Sequence, residues 1–111
     1  MAEQFRKVVD NDNYSISTSG EVLNKKGKRK IPQEDTHGYL QTKLYRDGVA
    51  SHKRIHRLVA EAFIPNPHGY REVNHIDENK WNCEVTNLEW CTRTYNVNYG
   101  ERTQKTSTRV A

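Results

Sequence analysis

At Arg54 the hydrophobic pattern of this chain changes period, and that change limits the folds open to it. Before it, apolar and polar positions alternate. From Tyr39 to Tyr45, Leu40, Thr42 and Leu44 fall on one face and Gln41, Lys43 and Tyr45 on the other, the two-residue period of a half-buried strand. After it, Ile55, Leu58, Val59 and Ala62 recur at i, i+3, i+4 and i+7, a stripe extended by Phe63, which is the signature of an amphipathic helix. Pro65 and Pro67 end that helix, because neither has an N–H to donate and each holds its predecessor extended. Strands first and a helix second, in 111 residues, define an α+β chain of one domain or of two small lobes sharing a core, and exclude a large multidomain enzyme.

The flanking segments extend this reading. Runs from Tyr14 to Thr18 and from Glu21 to Asn24 around Ser19-Gly20 predict a hairpin, and Asp47-Gly48 is a two-residue turn signal that returns the chain as a strand from Val49 to Lys53. Residues 1–53 therefore make a small antiparallel sheet. Beyond the helix, Arg71 to His75 and Asn87 to Cys91 predict two more strands separated by a polar stretch. Thr92 or Thr94 can cap a last short helix running through Asn98, with Gly100 ending it. The tail, residues 101–111, is polar, without an apolar period, and is expected to be disordered.

Charge is unevenly spread. The net charge is +4, but the residues through Arg57 carry 12 basic and 7 acidic side chains whereas the rest carry 6 and 7. The run Lys25-Lys26-Gly27-Lys28-Arg29-Lys30 cannot pack inside a protein and is suited to phosphates. Hydrophobic residues are 33% of the chain, and even with the six glycines added the share stays below the roughly 45–50% of ordinary globular chains, so the core is thin. No apolar run is long enough to span a membrane or to form a secretory signal, and the two cysteines, Cys83 and Cys91, fit a reducing compartment as free thiols. These features lead us to expect a cytoplasmic protein with no membrane partner.

The segment Val73-Asn74-His75-Ile76-Asp77-Glu78-Asn79-Lys80-Trp81-Asn82, followed by Asn87-Leu88-Glu89-Trp90 and Tyr95-Asn96, concentrates one imidazole with several amide and carboxylate oxygens. That is the set a hard-metal phosphodiesterase requires. In order and surroundings His75, Asn87 and Asn96 resemble the signature of the HNH endonuclease family. His56-Arg57-Leu58-Val59-Ala60-Glu61-Ala62-Phe63 and the preceding strands resemble the small domain that precedes phage and intron-encoded homing members. The resemblance implies a DNA-binding sheet over 1–53 followed by a linking helix and a ββα-metal unit over 54–100.

The resemblance also implies roles. His75 would be the general base that takes a proton from the attacking water, and Asn87 a catalytic-site residue that holds His75 in orientation. Asn74 and Asn96 would be metal ligands for Mg²⁺ or Mn²⁺. Lys25, Lys26, Lys28, Arg29, Lys30, Lys43, Arg46, Lys53 and Arg54 would contact double-stranded DNA. One base and one cation per chain imply a nick leaving 5′-phosphate and 3′-hydroxyl ends, and cutting both strands would take two chains, as in a homodimer, or a second event. If phage-encoded, the protein would act in the host cell cytoplasm. Many family members have an aspartate where this chain has Asn74, which keeps open an alternative: a weakly active or inactive DNA-binding module on the same scaffold. A zinc site of Cys83, Cys91, His68 and His75 is disfavoured, since the spacing is unlike a knuckle or finger.

Overall fold

The computed structural model of the protein describes residues 3–99. It places two antiparallel sheets where the sequence pointed to one. The first holds β1 (Phe5–Val8), β2 (Asn11–Ser17), β3 (Val22–Asn24) and β4 (Arg29–Lys30) in chain order, and the second holds β5 (Gln33–Glu34), β6 (Leu40–Arg46) and β7 (Val49–Arg54). The break falls at Ile31-Pro32, where Pro32 has no N–H to continue a ladder and Ile31 is 83% exposed, so no apolar anchor holds the strand on course. Asp47 and Gly48 both take positive φ, 52° and 79°, the geometry whose twist matches the β6–β7 pair, which begins at Arg46↔Val49.

Helix α1 (Ile55–Phe63) buries Ile55, Leu58 and Val59 of its stripe, leaves Ala62 and Phe63 half-buried against the core, and also buries His56 and Ala60. The last turn closes with Ile64 N–H donating to the Ala60 carbonyl at 3.0 Å, Pro65 follows, and the Ile64 carbonyl accepts the Trp90 indole N–H at 3.0 Å. Strands β8 (Glu72–His75) and β9 (Leu88–Cys91) pair antiparallel in the register Asn74↔Glu89 and His75↔Leu88, joined by a loop that ends in the 3-10 turn Val85–Asn87. A second helix, α2, covers residues 93–99. Thr92 caps it, its Oγ1 accepting the Tyr95 N–H at 3.1 Å. Gly100 and the polar tail lie outside the described residues.

One core serves both halves. Val8, Tyr14, Ile16, Val22 and Leu44 from the sheets meet Ile55, Leu58 and Val59 of α1 and Val73, Cys83 and Leu88 of the C-terminal unit in a continuous apolar cluster. At the seam stands Gly20, whose φ is +94° and where a Cβ would lie 3.0 Å from Cys83 Cβ and 3.1 Å from Ile55 Cγ2. Beside it the Val85 N–H donates to the Thr18 carbonyl at 2.8 Å. The β2–β3 turn is thus fastened to the loop that supports β9, and the N-terminal sheets hold a fixed position against β8 and β9.

Candidate active site

Strand β8 ends at His75, and the chain then folds into a loop held by asparagine and aspartate side chains together with backbone bonds. The Asp77 carboxylate accepts from Asn79 N–H at 2.8 Å, from Asn87 Nδ2 at 2.9 Å and from Asn82 Nδ2 at 2.9 Å. Those bonds, led by Asn82, hold the Asp77 carboxyl below its ordinary range. Asn87 closes the loop from the other side, its Oδ1 accepting Asp77 N–H at 3.0 Å, its Nδ2 also donating to the Asn82 carbonyl, and its backbone carbonyl accepting Ile76 N–H at 2.8 Å. Asn87 thus grips the two residues that follow His75, not the imidazole itself.

His75 is 4% exposed, and its Nε2 is buried without a hydrogen-bond partner. One side of the ring meets His56 of α1, with centroids 4.6 Å apart, and His56 in turn stacks on Tyr39 at 5.0 Å. Burial lowers the His75 pKa, the Asp77 charge opposes that shift and Lys80 adds to it, so the ring is neutral at pH 7 and has a lone pair for a proton. The sequence leads to the expectation that His56 packs and hydrogen-bonds between the sheet and the C-terminal unit. It packs there, but its Nδ1 is buried with no partner, and burial first, then the neighbouring His75 and the cations Arg54 and Arg57, push its pKa down to about 3.

Asn74 and Asn96 line the same cleft of about 190 Å³ as His75, together with Tyr39, Glu78 and Lys80. Adjacent residues on a strand point to opposite sides, and the structure accommodates both because β8 stops at His75. Each amide has its nitrogen engaged: Asn74 Nδ2 donates to Glu89 Oε2 at 2.8 Å, and Asn96 Nδ2 donates to Glu72 Oε1 at 3.2 Å. Ionised carboxylates only accept, so each amide turns its NH₂ to the carboxylate and its oxygen away. Among the described residues no group of three or more His, Cys, Asp or Glu side chains is placed to hold a metal. Oxygen donors of this kind suit a hard ion such as Mg²⁺ or Mn²⁺.

The basic residues expected at the DNA divide into two groups. Lys25, Lys26 and Lys28 stand exposed on the β3–β4 turn, and Lys43 and Lys53 stand exposed on the β6–β7 hairpin, where Lys43 Nζ lies 5.9 Å from the Tyr45 ring centroid. The others, like Lys43, have partners within the chain. Arg29 pairs with Glu21 at 2.6 Å, Lys30 lies over Tyr14 and Tyr45, and Arg46 donates to the Asp10 carbonyl at 2.6 Å. Arg54, half-buried, pairs with Asp35 at 2.8 Å and stacks 4.3 Å from the Tyr39 centroid, which ties it to the wall of the cleft. Sequence reasoning missed Glu72, Glu89 and Tyr39. The only signal was that residues 72 and 74 share a strand face; the register that brings Glu89 opposite Asn74 is not written in either strand alone.

Residues 53–98 match the family described as HNH endonuclease. Among relatives, an HNH endonuclease of Acanthamoeba polyphaga mimivirus is 44% identical over 89 residues, covering 79% of this chain and 27% of the relative. The DNA endonuclease I-HmuI of Bacillus phage SP01 is 40% identical over 88 residues, 76% of this chain and 49% of the relative. The solved structure titled for DNA binding and cleavage by the HNH homing endonuclease I-HmuI superposes with a TM-score of 0.80 at 30% identity, covering 97% of this chain and 66% of that one. The chain belongs, through residues 53–98, to the HNH endonuclease family. It spans between about a quarter and a half of the length of these sequence relatives.

Proposed function

We propose that the protein is a metal-dependent endonuclease that hydrolyses phosphodiester bonds of double-stranded DNA, with His75 as general base. The observation that carries this reading is a neutral, buried His75 sharing one cleft with the two amides, Asn74 and Asn96, whose nitrogens are both engaged by carboxylates. Asn74 and Asn96 would hold one Mg²⁺ or Mn²⁺, which when bound supplies positive charge to the scissile phosphate and to the departing oxygen. His75 takes the proton of the attacking water at its ring nitrogen. His56 and Tyr39 keep that ring from swinging, and Asn87 fixes the loop that begins one residue beyond it. This role for Asn87 reaches His75 through the backbone and not through a direct bond.

Affinity would come from elsewhere on the surface. Lys25, Lys26, Lys28, Lys43 and Lys53 are among the exposed cations of the two sheets. From Val49 to Lys53, β7 is exposed at every position, so the β6–β7 hairpin can lie along a groove of the duplex, which admits a two-stranded ribbon. One base and one amide pair per chain support nicking, with two chains or a second event needed for a double cut. Supercoiled plasmid with Mg²⁺ or Mn²⁺ tests the proposal. The native chain should yield relaxed circles that chelation prevents, whereas His75→Ala should shift the plasmid's mobility without relaxing it. Relaxation by His75→Ala at the native rate would refute the assignment.

A further inference from the structure

Each amide in the cleft has a carboxylate behind it. Asn74 and Glu89 face each other across the β8–β9 ladder, and Glu72 shares the Asn74 face of β8. Glu89 Oε2 accepts from Asn74 Nδ2 at 2.8 Å and from the Tyr95 hydroxyl at 3.2 Å, and Glu72 Oε1 accepts from Asn96 Nδ2 at 3.2 Å. Both glutamates are half-buried, so their charges are less screened than surface charges. Their combined field is felt at Cys91, whose thiol is pushed up to about 11 by burial and then by Glu89 and Glu72.

An amide oxygen brings a dipole and no net charge, so two amides alone leave a divalent ion's charge unbalanced. Two carboxylates behind them supply the missing two negative charges. The hydrogen bonds also fix each amide's rotation, because an amide whose NH₂ is held by a carboxylate cannot flip to turn its nitrogen toward a cation. We infer that Glu89, with Glu72 as its counterpart on the other amide, is a positioning residue that orients the Asn74 oxygen and supplies the charge that an aspartate at position 74 would otherwise carry. This rests on the proposed metal site and adds that the site's charge is displaced by one hydrogen bond, from the ligand to the group behind it.

The test exchanges the two functional groups. In Glu89→Gln the charge is lost and Asn74 is free to flip. In the double variant Asn74→Asp, Glu89→Gln, donor and acceptor swap places, so the hydrogen bond and the net charge of the pair are both restored. Mn²⁺ alone is titrated into the full chain and free ion is read by its electron paramagnetic resonance signal, with thermal unfolding by circular dichroism measured on each variant. Glu89→Gln should bind Mn²⁺ about tenfold more weakly than the native chain, and the double variant should return to within about threefold of native. Native-like binding by Glu89→Gln, or a double variant no tighter than Glu89→Gln, would overturn the inference while leaving the metal site standing. Failure of the native chain to bind Mn²⁺ would overturn the metal site and this inference with it.

Discussion

Acidification from pH 7 to pH 5 should cost the folded chain about 2 kcal/mol at His56 alone, using the slope of about 1.4 kcal/mol per pH unit that a fully differing proton count gives. In the fold this imidazole titrates near 3 against an ordinary 6.5, chiefly through burial and then through His75, Arg54 and Arg57. Between those two values the unfolded chain holds a proton that the folded chain lacks. Stability is therefore present in full above 6.5 and drains as the pH falls toward 3. His75, also lowered, contributes in the same direction. The depressed carboxyls act only further down. Asp77, held by Asn82 and Asn79, and Asp35, where burial is outweighed by bonds from Tyr39, His37 and Arg54, lie below 3.8 and begin to cost stability only under about that pH. Urea unfolding followed by tryptophan fluorescence at pH 7 and pH 5 measures the effect. His56→Phe keeps a ring between Tyr39 and His75 but cannot titrate, so its loss over this interval should be about 2 kcal/mol smaller than that of the native chain. Against a typical domain stability of about 5–15 kcal/mol this is easily resolved. Parallel losses in the two proteins would refute the placement of His56 as a neutral ring sealed against His75.

Asn87→Ala strips the Asp77–Asn82 loop of bonds to both an ionised carboxylate and a backbone N–H, and should lower stability by about 2–3 kcal/mol in the same urea assay. Gly20→Ala forces a side chain into positive φ against Cys83 and Ile55 and should cost about 2 kcal/mol, read as a lower Tm. Replacing Lys25, Lys26 and Lys28 with glutamine should weaken DNA binding and reduce the slope of log affinity against log salt by about 0.9 for each phosphate no longer neutralised; an unchanged slope would remove that turn from the interface. Asn96→Ala should abolish plasmid relaxation while leaving DNA affinity close to native, because it removes an oxygen donor and no exposed cation.

Much of this architecture could be read from the chain. The Asp47-Gly48 turn, the α1 stripe and the pairing strands around His75 follow from local patterns, and of the core residues they imply Leu44, Ile55, Leu58, Val59, Val73 and Leu88 are buried while Leu40, Ala62 and Phe63 are half-buried. Strand β1 was not legible, because in Phe5–Val8 only Val8 is buried and the sequence offers no alternation to detect. The division into two sheets escaped for a related reason. Strands β4 and β5 are two residues each, too short to carry a period, and their separation depends on a single proline. At the site, His75 and its neighbours stand out through motif context, whereas Glu89, though part of the same block, has no role there that the sequence discloses; the register that sets it opposite Asn74 does so. His56 shows the same limit. A histidine next to the first residue of the helix stripe reads as a packing residue, and only the tertiary fold reveals that what it packs against is the second imidazole.

The proposed catalysis requires that the Asn74 and Asn96 oxygens meet one divalent ion beside His75. Anomalous scattering from Mn²⁺ in crystals of the protein bound to a DNA duplex locates that ion directly. It should lie within about 2.5 Å of both amide oxygens, at the distance expected for hard-ion coordination, with the scissile phosphate between it and the imidazole. A manganese peak coordinated elsewhere, or amide oxygens too far apart to share one ion, would contradict the shared site.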